Sequence, residues 1–119
     1  MRLLVIVYVE DMARSVAFYE ALGLKRETPG DVDAWWNAFT LGDATLALHH
    51  NGGAPLPPVS DRMHLNLDLP PDGSLDIMHT RCQELGLDIG AGIDDVGFGR
   101  FFWVRDPDGL PVQSNERVG

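Results

Sequence analysis

At 119 residues, 45% of them hydrophobic and 23% charged, the chain has the composition of one globular domain and is too short for two that fold independently. A formal net charge of −9 argues against a nucleic-acid partner, whose phosphates demand clustered Lys and Arg; it would suit a cationic ligand, or serve only to keep the protein dissolved. No apolar run approaches the ~20 residues that span a bilayer, and a single cysteine, Cys82, excludes an internal disulfide and a Cys-rich zinc site.

Residues 3–9 are apolar and rich in β-branched side chains, which predicts a buried strand. One basic residue ahead of this run gives it a passing likeness to a secretory signal, but Glu10-Asp11 interrupts it, so a cytoplasmic protein is expected. Asp11 is placed to cap a helix that carries Met12, Val16, Tyr19 and Leu22 on one face and stops at Gly23. A short strand is expected at 25–28, a turn at Pro29-Gly30-Asp31, and two strands at 35–41 and 44–49 joined through Gly42-Asp43. Residues 51–60, with three prolines and two glycines, read as a linker.

The order then repeats. A strand at 63–69 and a turn at Pro70-Pro71-Asp72-Gly73 lead to a helix capped by Ser74, with Leu75, Met78, Cys82 and Leu85 on its inner face. Residues 88–91 are β-like, 100–105 and 110–115 are strands, and 106–109 turn between them. Glu20-Ala-Leu-Gly-Leu24 is echoed by Glu84-Leu-Gly-Leu87 at the same point of each half. The expectation is an α+β protein of two tandem βαβββ modules, 1–50 and 61–119, within a single domain. Each half has one apolar sheet face for its helix and is expected to need the other. Cys82, at an apolar helical position, is expected to pack, with a reactive thiol as the alternative.

Strand alternation sends Leu65, Leu67 and Leu69 to the helix side and His64, Asn66 and Asp68 to the opposite face. The same logic places Thr45, Ala47 and His49 outward, and Gln113 and Asn115 with them. That face is either a pocket wall or simply a solvated sheet surface.

Val9-Glu-Asp-Met-Ala-Arg-Ser-Val-Ala-Phe-Tyr19 with Leu22-Gly23, and Arg105-Asp-Pro-Asp-Gly109 before the last strand, resemble signatures of the glyoxalase/bleomycin-resistance/dioxygenase superfamily, the vicinal-oxygen-chelate (VOC) fold. With the repeat, the resemblance spans nearly the whole chain. It implies a concave mixed sheet with helices on its outer face, usually in a homodimer, and leaves the activity open because the fold hosts metalloenzymes and metal-free binders alike. Carrying the metal-ligand places of the metalloenzymes over by motif spacing gives Leu4, Ala47, His64 and Gln113. Leu4 and Ala47 offer no lone pair, so no metal or other cofactor is expected. His49, two residues beyond Ala47, leaves a rearranged site conceivable.

Aromatic residues gather in two strand regions: Trp35, Trp36 and Phe39, and Phe98, Phe101, Phe102 and Trp103. One of Trp35 and Trp36 is expected in the core and the other in a cavity or interface, while Phe102 and Val104 suit the helix side and Phe101 and Trp103 the other. Rings with a few amides and imidazoles suit a planar guest held by stacking, though the same rings could fill a core or a dimer interface. The expected ligand-binding set is Tyr8, Trp35, Trp36, Phe39, His49, His64, Asn66, Phe101, Trp103, Gln113 and Asn115.

Loss of ligand places beside a retained aromatic face looks like the antibiotic-sequestering members of the family, the bleomycin- and mitomycin-resistance type. Binding of an aromatic or hydrophobic natural product by a homodimer, without nucleic acid or membrane, is therefore the first expectation. The alternative is a VOC-type enzyme: a metal-dependent lyase or dioxygenase with a rearranged site, or a metal-independent isomerase or cyclase using His64. A third class, an accessory module docking through residues 55–59, has only that exposed apolar stretch behind it.

Overall fold

The computed structural model describes residues 2–59, 63–97 and 99–117, with the side chain of Arg117 left out. The Phe98 ring, Ser60 of the linker and the first residues of the second module fall outside them. Two compact units, Met1–Pro58 and Val59–Gly119, divide the chain.

The first unit contains β1 (Leu4–Val9), α1 (Met12–Ala21), β2 (Trp36–Leu41) and β3 (Ala44–His50). The strands are ordered β1-β3-β2, with β1 parallel to β3 and β2 antiparallel to it. Asp11 caps α1 as expected, its Oδ1 accepting from the Arg14 N–H at 3.1 Å. Met12, Val16, Tyr19 and Leu22 are all buried. Phe39 is fully enclosed on the same side of the sheet, its ring 6.1 Å from that of Tyr19. Full burial of a side chain of this size is worth ~1.5–3 kcal/mol.

The second unit contains β4 (Leu65–Leu69), α2 (Ser74–Glu84), β5 (Asp88–Ile89), β6 (Asp94–Asp95), β7 (Gly99–Arg105) and β8 (Pro111–Arg117). Its sheet runs β4-β8-β7-β5, with β6 also on β7 and β4 parallel to β8. Leu75, Met78 and Cys82 of α2 are buried with Phe102, Val104 and Val112. The helix ends repeat as the sequence echo implies: the Leu24 N–H donates to Tyr19 O at 3.2 Å, and the Leu87 N–H to Cys82 O at 3.1 Å. Gly23 and Gly86 take the positive φ, 97° and 65°, that such an exit requires.

Three expected details differ. Residues 25–28 form only an isolated bridge, Arg26 to Phe39, because the Arg26 guanidinium is turned back onto the Gly30 and Asp31 carbonyls and the segment does not extend. Ser74 is not the cap of α2. Gly73 occupies that position at φ 93°, and Asp72 accepts from both the N–H and the hydroxyl of Ser74. Leu85 is exposed rather than inward, since the helix has ended at Glu84 and the chain turns there.

Arg100 ties the start of α2 to the sheet. Its guanidinium donates to both Asp76 carboxylate oxygens, at 3.1 and 2.7 Å, and to Glu116 at 2.6 and 2.9 Å. These bonds hold the Asp76 carboxyl below its ordinary 3.8. Because the folded pKa is the lower one, the pair's contribution is present above about pH 4 and fades as pH falls through the folded value. Arg100→Met is expected to lower the melting temperature at neutral pH and to flatten its dependence on pH below 4. An unchanged acid profile would show that the pair carries no stability.

Burial pushes the Cys82 thiol up to about 11 from 9.0. Folded protein is expected to resist iodoacetamide at pH 8 and denatured protein to be alkylated fully, as read by mass spectrometry. Stability should also decline between about pH 9 and 11, where the unfolded chain ionises its thiol first.

Candidate functional site

The sheet face turned away from its helix carries the candidate residues in each unit, and register decides which of them meet. In the first unit Tyr8 of β1 pairs with His49 of β3, and His49 with Trp36 of β2. The Tyr8 and His49 rings lie 5.1 Å apart, and Trp36 meets His49 edge-on at 6.0 Å. Tyr8 and Trp36 remain 56% and 41% exposed, so this row of three rings presents open surface. The His49 Nδ1 lies 2.7 Å from the His50 carbonyl oxygen. A carbonyl only accepts, so Nδ1 is the donor in this contact.

Trp35 lies just outside β2 and packs edge-on against His50 at 5.1 Å, on the residue that alternates away from the His49 face. Neither tryptophan is buried, contrary to the expectation that one would be core. Asp33 is the reason: its Oδ1 accepts from the backbone N–H groups of both Trp35 and Trp36, at 2.8 and 3.0 Å, which pins the approach to β2 as an exposed turn. Those two bonds lower the Asp33 carboxyl from its ordinary value. Trp36 also walls an open depression of about 320 Å³ beside Arg26 and Asp31.

Phe39 must be struck from the candidate set. It pairs with Leu46 and lies on the α1 side of the sheet, three positions from Trp36 and therefore on the opposite face. Thr45 and Ala47 do lie on the candidate face but are covered, Ala47 between its register partners Ile6 and Ala38.

In the second unit, Asn66 of β4 pairs with Gln113 of β8, and Gln113 with Trp103 of β7. The adjacent row is Asp68, Asn115 and Phe101. His64, just ahead of β4, meets Trp103 edge-on with ring centres 4.8 Å apart. Phe101 is half-buried, and Phe102 and Val104 are buried on the α2 side, as alternation requires. Asn115 donates from Nδ2 to the Asp68 carboxylate. Asp68 belongs with the candidate residues, and alternation alone had already put it on their face.

The two faces are built on one plan, residue for residue. Ile6 pairs with Ala47 as Asn66 pairs with Gln113, so Leu4 stands to Ala47 as His64 stands to Gln113. Likewise the pair Tyr8 and His49 occupies the place that Asp68 and Asn115 hold in the second unit. The first face is aromatic and aliphatic, the second rich in amides.

The profile of the Glyoxalase/Bleomycin resistance protein/Dioxygenase superfamily matches residues 3–113, and the chain belongs to that superfamily. Among solved structures, a glyoxalase/dioxygenase from Nostoc punctiforme is similar at TM-score 0.79 and 24% identity, over 98% of this chain and 90% of that one. The oxidase ChaP-H2 is similar at 0.77 and 21%, over 99% and 94%. A lactoylglutathione lyase from Agrobacterium tumefaciens follows at 0.67 and 16%, over 98% and 92%. At these identities the likeness is one of fold. No curated protein gives a significant match. Among the described residues no helix is long and apolar enough to cross a membrane.

The donor set does not fit the divalent ion that metalloenzymes of this fold hold. Leu4 presents hydrocarbon, and Ala47 is flanked in register by Ile6 and Ala38, so no neighbouring side chain on that row replaces the missing donor. Of the four places, one imidazole and one neutral amide remain, too few and without compensating charge. Among the described residues no group of three or more His, Cys, Asp or Glu side chains could hold a metal. Zinc, manganese or ferrous ion is accordingly expected to leave the melting temperature unchanged. A true site would stabilise the fold by ~4 kcal/mol at a thousandfold excess over Kd.

Proposed function

We propose that this chain binds a planar, aromatic or hydrophobic natural product by ring stacking and returns it unchanged, as an antibiotic-sequestering resistance protein does. The observation that carries this reading is the set of half-open ring clusters, Tyr8–His49–Trp36 and His64–Trp103, on the helix-free faces of the two sheets. Edge-to-face pairs of this kind add ~0.5–1.5 kcal/mol beyond the area they bury, and an incoming flat ring extends them at little entropic cost. In the same reading the protein works in the cytoplasm as a homodimer, without metal, nucleic acid or membrane. Asn66 and Gln113 supply hydrogen bonds that orient the guest, and Trp35, off the row, contributes least.

Candidate compounds are expected to quench tryptophan emission, to protect cells that express the protein, and to be recovered chemically intact. Trp36→Ala and Trp103→Ala should each weaken binding about tenfold, the ~1–3 kcal/mol of one aromatic stacking partner, with little loss of stability because both rings are exposed. Equal affinity in both variants would remove the stacking reading.

An enzymatic reading draws on the fold shared with a lactoylglutathione lyase and an oxidase. Its residue would be His64, acting as an acid or base beside Trp103. Recovery of a converted product, abolished in His64→Ala, would decide for it.

A further inference from the structure

The Asn115 side chain is nine-tenths buried on β8, and its Oδ1 has no hydrogen-bond partner. The amide's other end faces the Asp68 carboxylate, which when ionised only accepts, so the group bonded there is the NH2 and the orphan is the carbonyl oxygen. Reversing the amide would set two acceptors against each other. Burying an acceptor without a donor is costly, and folded proteins fill such places with water or a ligand.

The surroundings are specific. Register sets Asp68, Asn115 and Phe101 side by side across β4, β8 and β7, with Asn66, Gln113 and Trp103 in the next row. Phe101, the partner of Asn115 across the ladder, and Gln113, two residues before Asn115 on β8, are half-buried. The polar groups of the first row are a carboxylate and a carbonyl oxygen, both acceptors. A ring seated against Phe101 or Trp103 would therefore be held in register by a donor at its edge.

We propose that Asn115 is a specificity-determining residue whose Oδ1, aimed by the bond to Asp68, reads a hydrogen-bond donor on the bound ring, an amine or ring ammonium N–H. This rests on the stacking reading above and adds to it the chemistry of one edge of the guest. A guest that carries only acceptors leaves the oxygen empty and binds more weakly.

Three planar tricyclic probes separate the possibilities: 9-aminoacridine, a cation with N–H donors; xanthone, neutral with acceptors only; and 9-anthracenecarboxylate, an anion with acceptors only. Binding is measured on the full-length protein by tryptophan quenching and calorimetry. The expected result is 9-aminoacridine at least tenfold tighter than xanthone, with 9-anthracenecarboxylate weakest. Asn115→Leu removes the acceptor and leaves the net charge untouched, so it is the deciding variant. It should abolish the preference for 9-aminoacridine while xanthone binds as before. Retained xanthone binding and a cooperative melt certify the fold, and Asp68→Asn, which loosens the aim, should reduce the preference by a smaller factor.

A preference that survives in Asn115→Leu would come from the overall negative charge, and would overturn the inference while leaving the stacking reading intact. Equal binding of all three probes by the unaltered protein would do the same, and would mean that the oxygen holds only a water. Failure of every probe to bind would instead overturn the stacking reading, and this inference with it.

Discussion

The structure depends on one pairing made twice, that of the first strand of each unit with its last. β1 lies parallel to β3, and β4 parallel to β8. Two parallel neighbours cannot be joined by a tight turn, so the intervening chain must cross a face of the sheet, and a helix is the compact way to do so. That crossing fills one face with Tyr19 and Phe39 in the first unit and with Leu75, Met78 and Cys82 in the second. The opposite face carries no helix by the same topology, and the two-residue period of the strands places Tyr8, His49 and Trp36 there in the first unit and Asn66, Gln113 and Trp103 in the second.

Because both units obey the same register, they can be compared place by place, and the comparison is chemical rather than geometric. The row held by Tyr8, His49 and Trp36 in the first unit is held by Asp68, Asn115 and Phe101 in the second. An aromatic pair stands where a carboxylate–amide pair stands. The two ligand places without a lone pair, Leu4 and Ala47, both fall in the first unit, whereas His64 and Gln113 fall in the second. The first face thus carries mainly rings and hydrocarbon at places where the second carries groups that form hydrogen bonds. Catalysis through an ion needs donors at all the places at once; capture by stacking needs only that flat surface and a few oriented polar groups survive.

Much of this was legible from residue order. Alternation in His64-Leu-Asn-Leu-Asp-Leu69 assigned both faces of β4 correctly, since a strand with one buried face leaves little freedom of register. The cap at Asp11 and the echo of Leu-Gly-Leu marked the first helix and the repeat through local hydrogen bonds that any such sequence would make. Aromatic content alone groups Phe39 with Trp36, whereas strand parity puts it on the opposite, buried face. Ahead of β2, Asp33 captures the N–H groups of both Trp35 and Trp36, a local turn that no hydrophobic pattern reports. Nor does composition reveal that Asn115 lacks a partner for its oxygen, because the buried state of a single atom depends on how three strands align.

The placement of these side chains on strands rather than loops has a consequence for recognition. Tyr8, Trp36, Phe101 and Trp103 each have only two rotatable side-chain bonds and are flanked by ladder-bonded neighbours, so little freedom remains to be lost when a guest arrives. In the proposed stacking reading, affinity comes from surface already in position, and the spacing of strands, ~4.8 Å, sets the grain of that surface. A face of this kind cannot reshape itself for a different guest as a loop can. In that reading its selectivity is set by which residues occupy fixed register positions, and the two units differ there, aromatic in one and amide-rich in the other.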